Sequence, residues 1–423
     1  MSESIDPALA RRIAVRAAGL GRDFASGETG AAEAIRHLSS VQIDTISVVE
    51  RAHHHILWSR VPRYGQTQLA RLESEPRRII EYWSHAAAYI PIEDYRFCIP
   101  RMERVRERGH DWFKVDARVV ARVRERVRAD GPLRVQDFEG PKRGPGGWWD
   151  WKPAKQALEY LFHAGELVSL GREGFQKRFE LAERALPAGL DLRRPTREEM
   201  ASYYVDTAAR CLGIFTEDDV AYHRRDCLEG IPNEIAQRVE EGSLVQLRAG
   251  ESDGKRLWYA SPELIATATV DGSDRARVFL LSPFDPLVID RRRTRRLFGI
   301  DIQVECYLPA HKRSFGYFAL PILFRDASGE VSFAGRLDAK ADRGAKSLML
   351  RRLHIAGIAK PRRASFVSAL AAELARYARF NGCGRCELGL LETDDEALEA
   401  VVRGRLSASC LKPRERVTPS SRM

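Results

Sequence analysis

Between Ser40 and Arg60 the chain concentrates an amide, a carboxylate and three imidazoles: Gln42, Asp44, His53, His54 and His55. A carboxylate can act as a base toward water and can stabilise a developing cation. A glutamine two positions away, with one acceptor and two donors, can orient that water. Ile43 between them is expected to point into the core and fix the pair. A plainer account fits the same residues. Asp44 can N-cap a helix beginning at Thr45, and Ser39 with Gln42 has capping-box spacing. Taken alone, the segment favours capping.

The elements around this segment follow from hydrophobic periodicity. Helices are predicted over Pro7 to Gly19, Ala31 to Leu38 and Thr45 to Trp58, the last with an apolar stripe through Ile46, Val49, Ile56 and Leu57. Residues 132–182 then read as a compact succession. A helix opens at Val135 to Phe138 and a second runs from Pro153 to His163. Strands Glu166 to Leu170 and Phe175 to Leu181 flank a Gly171 to Gly174 turn. Helices followed by a basic-tipped hairpin describe a winged helix. The plan recurs: Thr196 to Glu199 has the form of a capping box, helices follow over Met200 to Cys211, from Thr216 and over Ile235 to Glu240, and Leu257 to Ala260 can return as a wing.

From Arg277 the pattern changes to strands, with Tyr317 to Phe324 and Glu330 to Asp338 joined by an Asp326 to Gly329 turn, before helix returns at Ser365 to Phe380 and Asp394 to Val402. The expected fold class is therefore α+β, tandem winged-helix units with a C-terminal β-barrel-like section. The expected divisions are 1–125, 126–190, 191–265, 266–402 and a flexible basic tail over 403–423, whose 21 residues carry six Lys or Arg and one acid.

Composition narrows the partners. The 423 residues are 44% hydrophobic and 30% charged, which supports a folded chain of several units. Sixty-nine Lys and Arg exceed 59 Asp and Glu, a balance that favours polyanions, and Arg291 to Arg296 holds five Arg in six positions. There is no export signal and no apolar run of about 20 residues, so a cytoplasmic protein without membrane contact is expected. Seven cysteines, an odd number, suit reduced thiols, and Cys383-Gly-Arg-Cys386 reads as two small buried side chains, since no partner pair stands at zinc-site spacing. Trp148, Trp149 and Trp151 read as an anchor of the second winged unit.

The whole of Ser40 to Arg60 resembles the signature of the AlkZ/YcaQ-type winged-helix DNA glycosylases, whose motif is Gln, an apolar residue, then Gln or Asp. Gln42-Ile43-Asp44 is the Asp form of the YcaQ-like branch. Further matches stand at Glu81 to Pro91, Leu281 to Arg291, Leu308 to Tyr317 and Gly335 to Asp338, so the likeness extends from about residue 8 to 380. It implies tandem winged helices with a barrel-like section around a concave DNA-binding surface. It also implies release of N7-alkylguanine and unhooking of interstrand crosslinks, without metal or cofactor.

The chemistry stands apart from that likeness. N7 alkylation makes guanine cationic and already a good leaving group, so no general acid is needed, and one carboxylate can stabilise an oxocarbenium-like sugar and activate water. Asp44 is the expected base and Gln42 the water-orienting residue. No lysine occurs between Ser40 and Arg60 to form a Schiff base, so a monofunctional enzyme is expected, with no strand cleavage. Three adjacent imidazoles cannot share one helix face and do not read as a metal site. His54 is assigned to the DNA side, with Arg60, Lys312, Arg313 and Arg336 as further DNA contacts, while Trp58 and Trp83 read as core. The partner is double-stranded DNA carrying alkylated bases or crosslinks, with no obligate protein partner. The alternatives are a non-catalytic winged-helix DNA-binding or regulatory protein, in which Gln42 and Asp44 only cap a helix, and a protein-interaction scaffold.

Overall fold

A computed structural model describes residues 3–74, 76–110, 114–138, 153–222, 228–249, 256–270 and 275–410. Two compact units are formed: one from Gly21–Thr45 and Arg60–Val245, the other from Met1–Leu20, Ile46–Ser59 and Gln246–Met423. Residues 1–20 and 46–59, expected to share an N-terminal unit with Gln42 and Asp44, thus belong with the C-terminal half. Their burial explains this. Trp58 stacks on Phe380 at 5.0 Å and meets Tyr377 at 5.2 Å, and His55 Nε2 lies 2.9 Å from the carbonyl oxygen of Leu280.

The unit holding Gln42 is built around a three-stranded antiparallel sheet in the order Val41–Gln42, Ala87–Pro91, Ile79–Trp83. Helix Gly27–Leu38 packs on Ala87–Pro91 and on helices Gln66–Glu73 and Arg197–Cys211. Helices Ala117–Asp130 and Pro153–His163 precede a hairpin, Leu167–Glu173 with Gln176–Leu181. Their apolar faces share a core with the sheet through Ile80, Tyr82, Val123, Leu158, Phe162 and Phe179. Burying each large apolar side chain there contributes roughly 1.5–3 kcal/mol. Pro153–His163 has the bounds its periodicity predicts, whereas the helix expected at Val135 is a single 3-10 turn, Val135–Asp137. The Thr196 capping box forms: Thr196 Oγ1 accepts from Glu199 N and Glu199 Oε2 from Thr196 N. The helix it starts is followed by Glu217–Val220 and Gly230–Glu240.

The other unit carries a five-stranded sheet in the order Arg277–Leu280, Leu320–Arg325, Val331–Asp342, Ser347–Ile355, Arg385–Thr393, antiparallel except for its last pair. The first and last strands remain edges, so the barrel-like section is an open sheet among the described residues. Helix Arg363–Phe380 covers it, with Phe366 against Phe324 at 5.2 Å. The strand predicted from Tyr317 begins only at Leu320, because the preceding amides bond to side chains. Glu305 accepts from Ser314, Phe315 and Gly316 N–H groups, and Asp338 from Phe318 N–H. Helix Glu396–Cys410 runs through the first eight positions assigned to the flexible tail, and residues 411–423 lie outside the described residues, as does the Trp148–Trp151 anchor. Cys383 and Cys386 are buried thiols, as expected. No helix among the described residues is long and apolar enough to cross a membrane.

Candidate active site

The residues before Gln42 decide how it is presented. Helix Gly27–Leu38 ends at Ser39, which adopts the left-handed conformation at φ 58° and turns the chain directly into strand Val41–Gln42. A non-glycine residue in that conformation needs support from its surroundings. Helix Arg197–Cys211 provides it: Arg210 donates to the His37 carbonyl and to Ser39 Oγ, which also lies 3.3 Å from Thr207 Oγ1. Ser39 is therefore the C-terminal cap of one helix and not half of a capping box.

Val41 pairs with Tyr89 and Gln42 with Ala88, and Ile43 N–H donates to Ala87 O at 2.8 Å, extending the ladder by one bond. Val41 and Ile43 are buried, Gln42 and Asp44 partly exposed, the alternation a strand imposes. Ile43 thus points inward as expected. Asp44 is the first residue past the ladder, and no helix follows it at Thr45. Helix begins only at Ala52 and runs to Trp58, so Asp44 is not an N-cap. The helix predicted over Thr45 to Trp58 is interrupted because its early backbone groups are taken elsewhere. Val48 O accepts from Ala341 N at 2.8 Å, and Glu50 N donates to Asn381 Oδ1 at 2.7 Å.

His85 falls within the matching segment Glu81 to Pro91, where its type and spacing indicate no role. It lies in the turn between Ile79–Trp83 and Ala87–Pro91, partly exposed, with Nε2 2.9 Å from Gln42 Oε1 and its ring 6.3 Å from that of Tyr222. The two residues are 43 positions apart, and only the strand register brings them together.

The opposite face of this sheet carries Glu81, directly across from Tyr89. Its side chain has no exposure and receives Arg172 and Lys177 from the hairpin at 2.7 and 3.5 Å. Burial pushes the Glu81 carboxyl up, but the Lys177 and Arg172 charges outweigh it and hold the group below the ordinary carboxylate range. Glu73 is also buried, with Oε1 lacking a hydrogen-bond partner, and the Arg172 and Arg77 charges and a Tyr89 hydrogen bond only partly compensate. Burial and the Glu81 charge push it up to about 8. Two of the three basic residues of the expected wing, Arg172 and Lys177, are thus turned toward Glu81, while Arg178 lies 3.4 Å from Glu173.

The expected DNA contacts divide in the same way. Lys312 is exposed. Arg313 is partly exposed but donates to the Glu305 and Leu308 carbonyls, bracing its own loop. Arg336 is 9% exposed and donates to the Gly335 and Asp301 carbonyls. Arg60 is 5% exposed. Arg60 and Arg336 are thus both largely buried. Of the histidines, His53 and His55 are buried and His54 partly exposed. Burial, only partly offset by Glu50, lowers the His54 pKa to about 4, so its imidazole is neutral near pH 7. The arginine run is split as well: Arg292 and Arg295 face outward, while Arg293 is 1% exposed and Arg291 donates to the Pro283 and Val288 carbonyls.

Three of the matching motifs prove architectural. In Leu281 to Arg291, Asp285 is fully buried and Asp290 caps helix Arg291–Phe298 by accepting from Arg292 and Arg293 N–H groups. Gly316 and Gly335 allow close approach: a Cβ on Gly335 would lie 1.9 Å from His354 O, and one on Gly316 2.4 Å from the Asp338 side chain.

A family model described as "DNA glycosylase AlkZ-like" matches residues 35–380. Among solved structures, the Streptomyces sahachiroi DNA glycosylase AlkZ superposes with a TM-score of 0.58 at 15% identity, covering 92% of this chain and 100% of its own, so the two share a fold. With the family match spanning most of the sequence and the matching motifs set on this frame, the chain belongs to the AlkZ-like DNA glycosylases.

Proposed function

We propose that this glycosylase hydrolyses the N-glycosidic bond of N7-alkylguanine in double-stranded DNA and unhooks interstrand crosslinks joined through that nitrogen. Asp44 serves as base and electrostatic stabiliser, and Gln42 holds the water. The supporting observation is the placement of Asp44: it follows an edge strand paired with Ala87–Pro91, is partly exposed, and caps no helix. A cationic base leaves as a neutral molecule, so the demand on the protein is to stabilise the sugar cation and accept one proton from water, which a single carboxylate meets. With no lysine between Ser40 and Arg60, the product is an abasic site in an uncut strand.

Duplex binding draws on the helices and hairpin over 126–190, read as a winged helix, and on the helices that follow Thr196, read as part of a second; Lys312 and His54 are separate contacts carried by the other unit. The neutral His54 contributes a hydrogen bond rather than an ion pair. The test is incubation with duplexes carrying N7-methylguanine or a nitrogen-mustard crosslink. Base release and unhooking without strand cleavage are expected, and release from neither substrate overturns the reading.

A further inference from the structure

We propose that His85 is a positioning residue that fixes the orientation of the Gln42 amide and thereby presents its NH2 group to the attacking water. The proposal rests on the catalytic reading of Gln42 and Asp44. An amide oxygen only accepts, so the 2.9 Å contact between His85 Nε2 and Gln42 Oε1 requires a hydrogen on Nε2. That hydrogen is present in one neutral tautomer and in the imidazolium, so the contact survives protonation of the ring. With Oε1 occupied, the remaining face of the amide is a donor.

This assigns complementary tasks to the two residues of the motif. The Gln42 NH2 donates to one lone pair of the water, Asp44 accepts one of its protons, and the second lone pair is left to attack the sugar carbon. The water oxygen forms the new bond to that carbon as the glycosidic bond breaks. Its electron pair departs with the alkylated base, which leaves neutral, and the proton goes to Asp44. A Gln42 amide rotated by half a turn would present its oxygen, compete with Asp44 for the water hydrogens and hold no lone pair in place. An isolated amide has little preference between the two orientations, and one good hydrogen bond is enough to choose.

His85 is itself held. It occupies the three-residue turn closed by Ser84 N–H to Ala86 O at 2.9 Å, and the Tyr222 ring lies beside it. The turn joins the two strands that carry Tyr82 and Ala88, so its distance to Gln42 is set by the same ladder that holds Gln42.

The experiment is single-turnover release of N7-methylguanine from a duplex by wild type, His85→Ala, His85→Gln, Gln42→Ala and the Gln42→Ala/His85→Ala double variant, with duplex affinity measured for each. His85→Ala is expected to slow release about tenfold, the factor for one hydrogen bond, with affinity unchanged. His85→Gln, which keeps a side-chain N–H, restores most of the rate. On the Gln42→Ala background, His85→Ala adds less than about twofold, because the residue acts through Gln42. A full tenfold loss on that background, or His85→Gln no better than alanine, overturns the proposal. The nitrogen signals of labelled histidine in the wild-type protein give a reading that needs neither turnover nor a folded variant: a hydrogen on His85 Nε2 supports the contact, and its absence overturns it. Failure of wild type to release any base is a failure of the proposed function, and the tautomer still decides the role of His85.

Discussion

Arg172 meets Glu81 through two hydrogen bonds, Nη2 to Oε1 at 2.7 Å and Nε to Oε2 at 2.9 Å, and the Glu81 side chain is wholly buried. Lys177 joins the same carboxylate and bonds Glu159 at 2.8 Å. The hairpin is thereby fastened to the back of the sheet whose edge strand carries Gln42. Removing one member of a buried pair leaves the other charge uncompensated, which costs about 3–5 kcal/mol. Glu81→Ala is expected to lose that much in denaturant unfolding. The Arg36–Glu93 pair, with side chains 51% and 45% exposed, serves as the control. Arg36→Ala costs about 1 kcal/mol or less. Equal losses in the two variants would show that the buried network does not fasten the hairpin.

Two groups with shifted pKa values, Glu73 and His54, make stability depend on pH on both sides of neutrality. The Glu73 pKa is raised to about 8, so the folded state binds more protons than the unfolded one between about 4.5 and 8, and stability falls as pH rises through that window. The His54 pKa is lowered to about 4, so the unfolded state binds more protons between 6.5 and about 4, and stability falls as pH drops through it. Burial lowers that of His163 in the same direction. Glu73→Gln removes the alkaline limb, with a gain over wild type that grows toward pH 8.5 and reaches about 2–4 kcal/mol. Unfolding midpoints measured from pH 5 to 9 check this. A gain that is the same at every pH would mean that Glu73 does not titrate in the fold.

Exposed and packed cations should respond differently to salt. Lys312→Ala is expected to weaken duplex binding and to reduce the slope of log affinity against log salt by about 0.9. Arg336→Ala leaves the carbonyls of Asp301 and Gly335 without their donor, and is expected to lower stability by about 1–3 kcal/mol with the slope unchanged. A reduced slope for Arg336→Ala with normal stability would mean that its burial is relieved on DNA.

How far the fold could be read from sequence depended on how local its causes are. Helix Pro153–His163 and the following hairpin are written in periodicity and turn residues, and the Thr196 cap in a four-residue pattern. The segment after Asp44 has an equally good helical stripe, yet Ala341 and Asn381, hundreds of residues away, claim its backbone groups. Charge was misleading for the same reason. Arg291 and Arg336 stand among the candidate polyanion contacts in the sequence, and each bonds a carbonyl inside the fold. Gln42 and Asp44 were legible through the motif. His85 lies in the matching segment Glu81 to Pro91, but its link to Gln42 is a matter of strand register, which no spacing announces.

The central claim is that Asp44 does the chemistry. Single-turnover release of N7-methylguanine by wild type and Asp44→Asn, at equal occupancy of the duplex, tests it most directly. Asparagine keeps the shape and removes the charge and the basicity, so a loss of at least about a hundredfold is expected, with duplex affinity retained. Undiminished release by Asp44→Asn would contradict it.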